Sequence, residues 1–161
     1  MTSYKGKIKG NLTLLKGDDA TAVTSIGGSL YVSEGATCDL PAVTSIGGYP
    51  VPDPELAQAR LVAVAGAALK EPGHLKMSVW HSKSKGCGTA HCIAGWAVHL
   101  EPDGYALEKK LRSTLLAGNV LLGPIYSKLF FLSDEAARSA LHRVLNGEDP
   151  LAPAEATAPS V

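Results

Sequence analysis

AVTSIGG at Ala22–Gly28 returns unchanged as AVTSIGG at Ala42–Gly48, twenty residues later. An identical heptapeptide at that spacing marks a structural repeat. Extending the alignment, Gly28-Ser29-Leu30-Tyr31-Val32 falls on Gly10-Asn11-Leu12-Thr13-Leu14, so the first coil is shorter by two residues, around Gly17–Asp19. Leu30 and Val32 alternate as a short strand, and Leu40, Val43 and Ile46 recur at loop-like spacings. The Gly-Gly pair supplies a corner where a Cβ would clash. One such coil cannot bury its apolar side alone and must stack on the next.

The pattern LxVxxGAxxxLPAVTSIGG resembles the leucine-rich-repeat-like β-solenoids, in particular the coils of receptor L domains, over residues 8–49. The resemblance implies a short β-solenoid of about two 20-residue coils, too few to be stable without a neighbour. The favoured reading is a β-wedge covering a helical core. The other is a binding face, with Tyr31 and Ser33 as contact candidates, or a homodimer edge. Lys5, Lys7 and Lys9 alternate with Gly6, Ile8 and Gly10 and are expected on one face of an edge strand, where lysines oppose strand addition.

Three prolines in Pro50–Pro54 close the repeat. Asp53 then reads as an N-cap with Pro54 at the first helical position, opening a helix to about Leu69 whose inner side is Leu61, Val62, Ala65, Ala68 and Leu69. His74–His81 reads as an extended connector. Tyr105–Leu122 carries helical patterning with an interruption near Gly118, and Ile125–Leu132 a short packed helix. Ser133 caps a last helix with Leu141, Val144 and Leu145 inside, ended by Gly147. Glu148–Val161 reads as a frayed tail. Strands before helices predict an α+β fold: a repeat unit over 1–50, a helical domain of four or five helices over 51–147, and a tail over 148–161.

Trp80–Leu100, WHSKSKGCGTAHCIAGWAVHL, gathers both tryptophans, two of the three cysteines and three of the five histidines. Ile93–Leu100 reads as a buried helix with Thr89 as its N-cap. Four readings compete for His81, Cys87, His91 and Cys92. Together they could bind zinc, although adjacent ligands such as His91-Cys92 are unusual. Cys92, at a helix start beside His91, could be a nucleophile whose thiolate the helix dipole favours. Cys87 and Cys92 could form a reversible disulfide. The preferred reading is packing: Cys92 as a small buried residue, Cys87-Gly88-Thr89 as the turn, and Trp80 and Trp96 in the core.

Cys87-Gly88-Thr89-x-x-Cys92-Ile93-Ala94-Gly95-Trp96-Ala97, with Met77-Ser78-x-Trp80-His81, Leu121-Leu122-Gly123 and Phe130-Phe131, resembles an uncharacterised bacterial and phage family with a CGTxxCxAGWA core, over Asp53–Gly147. That resemblance implies a helical domain and assigns no catalytic residue. Its fusion to AVTSIGG coils is similar to phage or mobile-element accessory proteins, which implies binding and inhibition of a host factor such as a defence complex.

Fifteen Lys and Arg balance fifteen Asp and Glu, and 45% of residues are hydrophobic. This is globular composition without the net positive field that broad nucleic-acid or anionic-membrane binding uses. The polar start MTSYKGKIKG lacks a signal-peptide core, so a cytoplasmic location is expected. Three cysteines fit reduced thiols better than a disulfide framework. Lys83 and Lys85, in the Ser82–Gly88 loop, are further contact candidates, without a P-loop arrangement. The expected function is a non-enzymatic protein-interaction module with no cofactor. The alternative is a Cys/His site protein, zinc-binding or thiol-dependent, centred on Cys87, His91 and Cys92.

Overall fold

The computed structural model describes residues 1–83 and 89–153, with the side chains of Lys83 and Thr89 outside that description. The chain is an α+β mixture. The first fifty residues carry strands β1 (Ser3–Ile8), β2 (Leu12–Leu14), β3 (Asp19–Ile26), β4 (Leu30–Val32), β5 (Ser45–Ile46) and β6 (Tyr49–Pro50). β1, β3 and β5 run parallel in one ladder and β2 and β4 in another, while β6 turns back antiparallel on β5. Ile26 pairs with Ile46, the same residue of the heptapeptide one repeat on, and Leu12 pairs with Leu30. The spacing shortens from twenty to eighteen residues between these pairs, as the alignment requires.

The two Gly-Gly pairs are used differently. A Cβ on Gly27 would lie 2.1 Å from the Lys9 carbonyl oxygen, and one on Gly28 2.2 Å from Asn11 Oδ1, because this corner stacks directly on the corner before it. Asn11 Oδ1 also accepts from the Ser29 N–H. Gly47 and Gly48 instead have φ of +61° and +83°, the left-handed backbone that starts the reversal into β6.

Helices follow: α1 (Pro54–Ala68), α2 (Ile93–Leu100), α3 (Gly104–Leu111), α4 (Thr114–Leu122), a 3₁₀ helix (Pro124–Phe131) and α5 (Asp134–Leu145). Asp53 caps α1 by accepting from the Leu56 N–H, and Ser133 caps α5 by accepting from Ala136 N–H, as their sequences predict. α4 belongs to two cores. Leu115, Ala117, Leu121 and Leu122 pack among the helices, whereas Leu116 and Val120 pack against Leu12, Leu30, Ile46 and the rest of the coil interior. Asn119, fully buried between them, accepts from the Leu30 N–H and donates to Ser127 Oγ.

Several expectations need correction. The helix is not interrupted near Gly118. The break lies at Arg112, in left-handed backbone (φ 56°), after which Ser113 caps α4. Gly118 instead lets α4 touch α2, since a Cβ there would stand 2.7 Å from that of Ala94. His74–Trp80 is not extended throughout: Leu75 makes a parallel bridge to His91 and a turn follows at Met77–Ser78, while β7 (His81–Lys83) pairs antiparallel with β8 (Thr89–His91) in a hairpin the sequence did not suggest. Thr89 lies in β8; the cap of α2 is Cys92, whose Sγ accepts from the Gly95 N–H. Trp80, Val62 and Leu145 are exposed rather than buried. The tail is tied where it leaves α5: Arg143 donates to the Pro150 carbonyl, and Leu151 packs partly against the helical core. Among the described residues no helix is long and apolar enough to cross a membrane.

Candidate functional site

The hairpin β7–β8 and the α2–α3 pair bring His81, His91 and His99 together with Tyr105 and Glu108. His81 Nε2 stands 2.7 Å from Glu108 Oε1, which also accepts from Thr114 Oγ1. His81 Nδ1 stands 2.8 Å from His91 Nδ1. The His91 ring stacks on His99 and meets Trp96 edge-on, and His99 Nδ1 lies 2.9 Å from the Tyr105 hydroxyl. His91 is 2% exposed, and its Nε2 has no hydrogen-bond partner. Burial, reinforced by His81 and then His99, lowers the His91 pKa to about 4, against an opposing contribution from the Trp80 carbonyl.

His81 thus bridges the Glu108 carboxylate and the His91 ring, and between the two facing Nδ1 atoms one nitrogen donates and the other accepts.

Cys92 follows His91 in sequence but turns away to cap α2. Its thiol is buried, and burial, the largest effect, raises its pKa, with the Gly95 N–H pulling the other way. A nucleophile would need the opposite shift. Cys87 and Lys85 lie outside the described residues, as does the Lys83 side chain. Among the described residues His81 and His91 are the members of the expected zinc set that meet, and no three His, Cys, Asp or Glu there are grouped to hold a metal ion. Glu108 and Thr114 escaped the sequence reading because α3 and α4 approach the hairpin only in the tertiary fold.

A second feature lies where the coils meet the helices. Tyr31 on β4 and Phe131 at the end of the 3₁₀ helix face each other with ring centroids 6.2 Å apart. They are 39% and 41% exposed, and Trp80, beside the hairpin, is 46% exposed. Tyr31 and Phe131 are shared by two adjoining open recesses. One, of about 520 Å³, adds Ser33 and Glu34; the other, of about 490 Å³, adds Trp80, Arg112 and Thr114. Tyr31 and Ser33, two of the contact candidates, line the same recess. The sequence assigns Phe131 and Trp80 to packing, and nothing local distinguishes the exposed Phe131 from its buried neighbour Phe130.

A larger recess, of about 660 Å³, lies between Tyr49–Leu56 and α3. Within it Arg60 donates to Glu101 at 2.8 Å and to the Leu121 carbonyl at 2.9 Å.

Fold and surface together define a class: an α+β chain with an exposed aromatic face at the seam of its strand and helix layers. Compared with known proteins, the chain matches no family model, no curated protein and no solved structure.

Proposed function

We propose that the chain is a non-enzymatic protein-interaction module whose contact face is the Tyr31–Phe131–Trp80 surface. The observation that carries this is three large aromatics, Tyr31, Phe131 and Trp80, exposed together around two adjoining recesses. Aromatic side chains with an adjacent Arg are the composition from which binding hot spots are built. The strand unit is, in this proposal, a short β-solenoid of about two coils. The in-register pairing of repeat-equivalent isoleucines supports that reading. Resemblance to phage and mobile-element accessory proteins gives the proposal its specific form: a cytoplasmic inhibitor that binds a host defence complex.

One observation favours the Cys/His alternative, the buried and unpaired His91 Nε2 at the end of the Glu108–His81–His91 chain. Affinity capture from bacterial lysate, with the bound protein quantified, separates the two. The interaction reading expects Tyr31→Ser with Trp80→Ser to abolish a stoichiometric partner, and Cys92→Ser and His81→Gln to leave it. The reverse pattern contradicts it. Bound zinc lost in His81→Gln and Cys92→Ser would favour the alternative.

A further inference from the structure

The aromatic face is bipolar. Glu34 lines only the recess on the coil side, and Arg112 only the recess on the helix side, with Tyr31 and Phe131 common to both. Both charged residues are exposed. Among the described residues the salt bridges are Arg60–Glu101 and His81–Glu108, and neither Glu34 nor Arg112 takes part in one. Lys16 approaches Gly35 from the neighbouring coil but does not bridge to Glu34.

A surface with a cation at one end, a carboxylate at the other and aromatics between is complementary to itself. A two-fold axis through the aromatic centre lays the cationic end of one copy over the acidic end of the other, twice, while the Tyr31 and Phe131 rings of the two copies cover each other. The geometry points to a second copy of this chain as the occupant of the face: an isologous dimer closed by two symmetric Arg112–Glu34 contacts around an aromatic core. This rests on the reading of that face as an interaction surface and names its partner. The zero net charge of the chain places no overall repulsion against self-association. The solenoid edge, the dimer route expected from sequence, is less suited. β1 is an edge strand with Lys5 and Lys7 exposed at alternate positions, and a two-fold pairing of β1 with β1 sets these lysines against each other. Because one face serves both, dimerisation and capture of a different protein through it compete.

The test is sedimentation velocity on the full chain from roughly 1 to 100 µM, for the wild type, Arg112→Glu, Glu34→Arg and the double reversal. Arg112→Glu keeps a non-glycine residue at the same left-handed position, and circular dichroism confirms that each variant is folded. Each single reversal is expected to weaken the dimer roughly tenfold, because it places like charges at both symmetric contacts, and the double reversal to restore most of the loss. Tyr31→Ser, outside the charge pair, is expected to weaken it by a further roughly tenfold or more. A wild type that stays monomeric throughout, a dimer indifferent to all four variants, or one broken by Lys7→Pro but not by the face variants overturns the dimer. A monomer that still captures a partner through Tyr31 and Trp80 leaves the interaction face standing and removes only the second copy. Capture indifferent to those residues removes the face itself.

Discussion

Gly27 and Gly10 occupy corners of the same stack but carry different burdens. A Cβ at Gly27 would meet the Lys9 backbone carbonyl at 2.1 Å, whereas at Gly10 it would meet nothing within 4 Å. Gly27→Ala is therefore expected to destabilise the chain by about 2–4 kcal/mol, and Gly10→Ala to change it by under about 0.5 kcal/mol, both read from urea denaturation. His91 gives the pH dependence. Its folded pKa, about 4, lies below its unfolded value of 6.5, so below pH 6.5 the unfolded chain binds the extra proton. Stability is fully present above that pH, falls as pH drops towards 4, and levels off below it, by up to about 3 kcal/mol. His91→Gln is expected to flatten the melting temperature between pH 6.5 and 4. An equally steep fall in the variant would place the acid sensitivity elsewhere.

The helix α4 is the element on which both layers depend. Asn119 joins the β4 backbone to Ser127 at full burial, so Asn119→Ala strands the Leu30 N–H and is expected to cost about 2–3 kcal/mol. Leu116 and Val120 lose their cover if the coils are removed. A fragment beginning at Val51 is accordingly expected to lack a cooperative thermal transition, while the full chain melts in a single step by circular dichroism. Elements with local start signals were legible in the sequence: Asp53-Pro54 and Ser133 announced α1 and α5, and Ile93–Leu100 announced α2 through its unbroken apolar run. The break between α3 and α4 was not legible, because Arg112 adopts left-handed backbone without a glycine to mark it. The β7–β8 hairpin was equally hidden, since its pairing of His81 with His91 is a contact across ten residues with no alternation to signal it.

For the whole molecule, the repeat made the stacked strands legible, and the strand-then-helix order gave the α+β class. The candidate site was legible only in pieces. His81 and His91 were marked by residue type, but Glu108, which bonds His81, lies 27 residues further along the chain. Tyr31 was singled out, while Trp80 was placed in the core because a tryptophan beside an apolar helix is usually buried. Its exposure adds a third aromatic to the recess on the helix side of Tyr31 and Phe131.

That exposure offers the most direct test, and it needs no mutation. Trp96 is buried and Trp80 is exposed, so acrylamide should quench one accessible and one protected tryptophan in dilute protein. The accessible component is expected to become protected when the face is occupied, either as concentration rises or when a captured partner is added. An accessible component that persists unchanged under both conditions would contradict the claim that this face is where the protein binds.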